Sequence, residues 1–155
     1  MKVYLVRHGN AMASNDDSRR PLSPKGRKEA ERLADVLAKA GVTVQETWHS
    51  SKDRARETAE ILVARGGLKG APRERSGLLP EDPVAPIADE LAVLDGDVCI
   101  VGHLPFMGYL AAELTSQGPG KPDFIFTTCA MLCLERYGPA NWAVRWFISP
   151  DLLPE

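Results

Sequence analysis

The sequence predicts an α/β fold, a three-layer α/β/α sandwich around a mostly parallel sheet with an antiparallel edge. Three observations predict it. The runs "KVYLV" and "DVCIVGH" are almost continuously apolar, as strands covered on both faces are. Segments of helical period separate the strand-like runs, so successive strands need crossover helices and run parallel. The chain then closes on two strand-like runs joined by a tight turn, which adds an antiparallel pair.

Each element follows from local residue chemistry. After "KVYLV" a polar loop runs to Leu22, and a helix begins where Ser23 can cap it and Pro24 fills its first turn. Ala30, Leu33, Ala34 and Leu37 recur at helical spacing, and Gly41 ends the helix. Gly26 weakens the first turn, which marks a close approach to the first strand. "VTVQETWH" reads as the second strand, and Ser50 or Ser51 as the cap of a helix carrying Ala55, Ala59, Ile61 and Leu62. From Gly66 to Pro86, four glycines and four prolines interrupt any period, so this stretch is loop with room for one short strand. A third helix spans Pro86 to Leu94, "DVCIVGH" is a buried strand, and a fourth helix spans Pro105 to Leu114. "SQGPGKP" is a turn. "FIFTTCAMLCLERY" and "NWAVRWFIS" are the closing strands, joined at Gly138-Pro139.

With 155 residues, the chain is expected to form a single domain over 1–155. It is 44% hydrophobic and 26% charged, an ordinary globular composition. Nineteen basic and 21 acidic residues leave a net charge of −2, which provides no global field for nucleic acid or an anionic membrane. An anionic ligand must therefore be held by a local cluster. Strand-like sequence from Lys2 and the lack of a long apolar run make the cytoplasm the expected compartment. Cys99, Cys129 and Cys133 all sit in apolar runs and read as buried thiols rather than a disulfide framework. Cys129 and Cys133 can share a strand face, but no further ligands lie nearby for a metal.

In open α/β sheets, ligands bind beyond the carboxyl ends of the strands. His8 lies just past the first strand and His103 just past "VCIVG", so both face the same sheet edge. Gly9 and Gly102 flank them and let backbone approach a ligand. Arg54 falls in the first turns of the second helix on that edge, where the helix amino end also favours an anion. Thr58 lies one turn further on the same face, whereas Arg56 is rotated about 200° away. Arg7, His8, Arg54 and His103 therefore converge. Two guanidinium groups suit phosphoryl oxygens, and a histidine between them can attack phosphorus or act as acid or base. His49 has no such support and reads as a strand-end residue.

On these residues the sequence resembles the histidine phosphatase superfamily, whose fold is also called phosphoglycerate mutase-like, and within it the short SixA-like phosphohistidine phosphatase branch. "VRHGNA" resembles the nucleophile motif, "RPLSPKGRKEA" the opening of the first helix, "SSKDRARETA" the second-arginine motif and "VGHLPFMGYLAAEL" the second-histidine motif. The resemblance implies that His8 is transiently phosphorylated while Arg7, Arg54 and His103 hold the phosphoryl oxygens. A protonated His103 would add positive charge to the pocket. Gly9 and Asn10 complete the phosphate-binding set, and neither metal nor cofactor is needed. Relatives often carry a longer or acidic side chain where this chain has Asn10. The family also implies a leaving-group acid in the middle loop, for which "GLLPEDPVAP" offers Glu81 and Asp82; a solvated turn is the competing reading of both. Arg20 reads as a surface ion-pair residue near the rim.

The leading function is hydrolysis of phosphohistidine on a protein domain by a monomer. A small-molecule phosphomonoesterase is the nearest alternative, and a phosphohistidine-binding module without turnover is the alternative from another class. A sugar-phosphate mutase fits less well, because the middle loop is short. A metal hydrolase using the three histidines lacks short ligand spacing.

Overall fold

The computed structural model describes residues 1–115 and 124–154. The turn expected at "SQGPGKP" lies outside the described residues. Strands are β1 (Lys2–Arg7), β2 (Glu46–His49), β3 (Pro72–Glu74), β4 (Val98–Gly102), β5 (Met131–Gly138) and β6 (Asn141–Ile148). Helices are α1 (Pro24–Ala40), α2 (Asp53–Gly66), α3 (Ala85–Val93) and α4 (Phe106–Leu114), with short 3₁₀ turns at Asp17–Arg19 and Pro150–Leu152.

The strands form one sheet in the order β3-β2-β4-β1-β5-β6. β1 to β4 run parallel, β5 is antiparallel to β1, and β6 is antiparallel to β5. The chain thus moves outward from β1 to β3 and returns to place β4 between β2 and β1. Registers pair Arg7 with Gly102 and His49 with Val101, so the carboxyl ends of β1, β2 and β4 share one edge.

Alternation along β1 divides the core. Val3 and Leu5 pack with Ile100, Leu132, Leu91 and Leu110 on the α3/α4 side, while Tyr4 and Val6 pack with Val101, Met131, Leu33 and Leu62 on the α1/α2 side. Each buried aliphatic side chain stabilises the sheet by roughly 1.5–3 kcal/mol. The result is the three-layer sandwich, and β1 is held rigidly from both faces.

The ends of α1 follow the sequence reading. Ser23 Oγ accepts from the Gly26 amide at 3.0 Å, and Gly41 takes the left-handed conformation at φ 68°. Gly26 is required by crowding, since a Cβ there would lie 2.0 Å from the Asn10 carbonyl oxygen. The approach is thus to the loop leaving β1.

Three boundaries differ from expectation. β2 begins only at Glu46, because the Val42 amide is bonded to Leu37 O in closing α1. α2 takes no side-chain cap from Ser50 or Ser51: Lys52 is its N-cap residue, and the Ser50 hydroxyl is turned to His103. The run from Phe124 becomes a strand only at Met131. Cys129 sits at φ 57° with its amide directed at the carbonyls of Arg7 and His8, which takes it and the residues before it off the strand. Cys129 and Cys133 therefore do not share a strand face. Among the described residues, no helix is long and apolar enough to cross a membrane.

Candidate active site

The site is assembled where β1 ends. The His8 amide donates to Gly102 O at 2.9 Å, and the Cys129 amide bonds to Arg7 O at 2.9 Å and His8 O at 3.2 Å. The His8 backbone is thereby held by β4 on one side and by the segment before β5 on the other. Its ring is oriented by a 2.7 Å contact from Nδ1 to Gly9 O. A carbonyl only accepts, so Nδ1 carries the proton and Nε2 keeps its lone pair. Burial is the main cause that lowers the His8 pKa to about 4, opposed by the Gly9 carbonyl and assisted by the charges of Arg54 and Arg7. At neutral pH the ring is therefore uncharged.

Arg54 occupies the first turn of α2, with 5% of its surface exposed. Its Nε–H points to His8 Nε2 at 3.3 Å, and Nη1 donates to Asp17 O at 2.8 Å. Arg56 faces outward to Glu60 and Asp53. Thr58 joins the two motifs: its hydroxyl donates to Arg54 O at 2.8 Å and accepts from the Gly9 amide at 3.0 Å.

Arg7 donates from Nη1 to Phe126 O at 2.8 Å, while its buried Nε has no hydrogen-bond partner among the described residues. His103 follows β4, with its ring centroid 5.0 Å from that of His8. Its Nε2 lies 2.5 Å from Ser50 Oγ, and its buried Nδ1 has no partner among the described residues. Two of the unmatched buried nitrogens thus belong to this cluster, where an oxyanion would satisfy them. Burial, then the proximity of His8, Arg54 and Lys52, pushes the His103 pKa down to about 3. His103 is therefore uncharged at neutral pH, and an oxyanion beside it would raise its pKa and favour the protonated ring.

Gly9 and Asn10 hold the architecture rather than offer amides to a ligand. The Gly9 amide is bonded to Thr58, and the Asn10 amide donates to Glu29 Oε1 at 3.0 Å. Asn10 Oδ1 accepts from Ser23 Oγ at 2.6 Å, tying the loop to the α1 cap. Gly9 and Gly102 are set by packing: a Cβ would meet Gly26 O at 2.9 Å in the first case and Met107 Cε at 2.7 Å in the second.

Four contributors, Asp17, Lys52, Ser50 and Glu29, were not assigned to the site by the sequence reading. Asp17, on the 3₁₀ turn, bonds Lys52 through its carboxylate and lies 3.4 Å from both Arg54 Nη2 and Arg20 Nη1. The Lys52 hydrogen bond is the main cause that holds the Asp17 carboxyl at about 2, against burial and with help from Arg54. Asp17 is thus ionised. Ser50 and Glu29 complete the set; Glu29 also accepts from Thr128 Oγ1 at 2.7 Å, clasping the loop after His8 to the segment before β5. The usable signal was the polar run "SNDDS", which announces a turn but not what it covers. Arg20 forms the expected surface ion pair with Asp17 and also bonds Met12 O.

Glu81 is exposed and Asp82 caps its own turn, accepting from the Leu79 amide at 2.8 Å. Neither has a hydrogen bond or ion pair to the site among the described residues. His49 ends β2, buried, with Nδ1 against Ser50 O.

Similarity to known proteins agrees with this geometry. A family model described as the histidine phosphatase superfamily (branch 1) matches residues 3–78. The phosphohistidine phosphatase SixA of Escherichia coli (strain K12) is 30% identical, over 97% of this chain and 94% of its own. A solved structure of the protein histidine phosphatase SixA complexed with tungstate superposes with a TM-score of 0.89 at 30% identity, covering 97% of this chain and 98% of that one. A phosphoserine phosphatase mutant from Entamoeba histolytica, in complex with phosphoserine, has a TM-score of 0.72 at 15% identity over 98% of this chain and 99% of its own, a likeness of fold alone. By sequence and by fold, the chain belongs to the histidine phosphatase superfamily, in its SixA-like branch.

Proposed function

We propose that the protein is a phosphohistidine phosphatase that hydrolyses phosphoryl groups from protein histidine through a covalent intermediate on His8, without a cofactor. The carrying observation is the His8 ring itself: its proton is fixed on Nδ1 by Gly9 O and its Nε2 lone pair lies beneath the Arg54 Nε–H. In this reading Nε2 attacks phosphorus in line as the bond to the substrate imidazole breaks. Arg7 and Arg54 follow the charge on the phosphoryl oxygens, with His103 Nδ1 as a further donor when the Ser50 hydroxyl donates to Nε2. Water then cleaves the phosphorus–nitrogen bond to His8 and releases phosphate.

Leaving-group chemistry supports the substrate class. A substrate imidazole protonated on its far nitrogen departs neutral, whereas an alkoxide needs a proton from the enzyme. Asp17 is held ionised, and neither Glu81 nor Asp82 is bonded into the pocket. Phosphoramidates therefore suit this site better than alkyl phosphates. The SixA relative, named a phosphohistidine phosphatase, points the same way, and the tungstate bound in the SixA structure supports an oxyanion pocket. We read the chain as a single-domain monomer of the cytoplasm, where its three buried free thiols stay reduced.

The test compares phosphate release from a histidine-phosphorylated protein, an aryl phosphate and an alkyl phosphate, in chelator, for wild type and His8→Ala. The reading predicts phosphohistidine turnover in wild type and none in the variant. Aryl-ester activity alone would favour a small-molecule phosphatase, and binding without turnover a reader module.

A further inference from the structure

The carboxyl edge of the sheet extends past the catalytic cluster. Val6 pairs with Met131, and Met131 with Ile148, so β6 ends on the edge where β1 ends. Two strand spacings separate them, roughly 10 Å. There the surface is apolar: a groove of about 260 Å³ is lined by Ile125, Phe147, Leu152 and Leu153. Ile125 is 86% exposed and Leu152 84%.

The groove is continuous with the site. Ile125 precedes Phe126, whose carbonyl accepts from Arg7 Nη1 and whose ring packs on Phe147 with centroids 5.0 Å apart. Thr127 is shared between the groove and an adjoining cleft of about 560 Å³, which Lys25, Lys28, Arg32, Glu29 and Asp151 also line. Glu29 is engaged by Asn10 and Thr128, while Lys25 and Lys28 are exposed on the first turns of α1. A chain of net charge −2 thus presents cations beside an apolar groove next to its phosphoryl pocket.

We infer that this surface is the docking face for a phosphohistidine-bearing protein domain, with an apolar side chain of the partner in the Ile125–Leu152 groove and partner carboxylates over Lys25 and Lys28. The inference rests on the phosphatase reading above and names what presents the phosphohistidine. A standard interface covers about 800 Å² per partner, a disc of roughly 16 Å radius, which takes in the groove, the cations and the pocket together. The apolar groove supplies affinity, and the cations speed encounter with an acidic partner.

The experiment uses a histidine-phosphotransfer domain phosphorylated chemically with phosphoramidate, and free phosphohistidine as the small substrate. Two surface variants are compared with wild type, Ile125→Asp/Leu152→Asp and Lys25→Glu/Lys28→Glu; neither alters a catalytic group. Wild type is expected to prefer the protein substrate. The apolar variant should lose about tenfold or more in kcat/KM on the protein, through KM, and less than about twofold on free phosphohistidine. The charge variant should lose activity on the protein and flatten its salt dependence. Retained turnover of free phosphohistidine reports that each variant is folded.

Equal effects on both substrates, or none, would overturn the docking face while leaving the phosphatase reading intact. So would a wild type without preference for the protein, or a concentration-dependent dimer in sedimentation that is lost in Ile125→Asp/Leu152→Asp, which would assign the groove to a second copy of the chain. Wild type inactive on both substrates would instead overturn the phosphatase reading, and the docking face with it.

Discussion

Arg54 Nε lies 3.3 Å from His8 Nε2, so the guanidinium points at the atom on which a phosphoryl group would be built. Its Nη1 is simultaneously bonded to Asp17 O. Lysine keeps the charge at this position but loses the planar fork that serves both directions. Arg54→Lys should therefore lower kcat/KM by about 10²–10³-fold while the urea midpoint changes little, read by steady-state kinetics beside equilibrium unfolding. Activity near wild type would mean that charge alone suffices there.

The depressed histidine pKa values carry two signs. For activity, a His8 pKa of about 4 keeps Nε2 unprotonated well below the usual imidazole range. Rates of His8 phosphorylation by an aryl phosphate, followed in single turnovers, should stay flat from pH 8 to about 5.5 instead of halving near 6.5.

For stability, the unfolded imidazoles bind protons near pH 6.5, whereas folded His8 and His103 do so only near 4 and 3. Acidification below about 6.5 therefore favours unfolding, and this stability is progressively lost as pH falls towards the folded values. The urea midpoint should drop across that window, and His103→Gln should make the drop shallower. An unchanged slope would place the acid sensitivity elsewhere.

In the proposed reaction Asp17 would compete with an incoming phosphoryl group for Arg54, whose Nη2 lies 3.4 Å from its carboxylate. Its side chain is 56% exposed, so the competition is softened by solvent. Asp17→Asn keeps the backbone carbonyl that Arg54 uses and removes the competing charge. Competitive inhibition by inorganic phosphate should tighten by about threefold to tenfold. Weakened inhibition would show instead that the carboxylate is needed to order the cations.

Gly26 and Gly102 should respond unequally to alanine. At Gly26 the new Cβ meets the Asn10 carbonyl at 2.0 Å, and backbone cannot yield without moving the loop after His8. At Gly102 it meets the end of the Met107 side chain, which can rotate. Gly26→Ala should cost about 2–3 kcal/mol and Gly102→Ala about 1 kcal/mol or less in urea unfolding.

These contacts show why some of the protein was readable and some was not. The order of helices and strands follows from period, caps and breakers, which are local: Ser23, Pro24 and Gly41 act within a few residues. The convergence of His8, Arg54 and His103 follows from one topological rule, that parallel strands end on a common edge. Asp17, Ser50 and Glu29 were illegible because each acts across a long sequence separation, such as 53 residues from Ser50 to His103. Cys129 gave no sign of its left-handed backbone, a conformation that Gly or Asn usually announces. At Gly9 the lack of a side chain serves packing, and its amide is bonded to Thr58, a contact 49 residues away that the sequence does not announce.

The central claim is that His8 Nε2 bonds to phosphorus. Rapid quenching of wild type during turnover of a ³²P-labelled phosphohistidine protein, followed by peptide mapping, tests it directly. The account predicts acid-labile, alkali-stable label on His8, absent from His8→Ala, which is also inactive. Full turnover in His8→Ala, or label on another residue with none on His8, would contradict it.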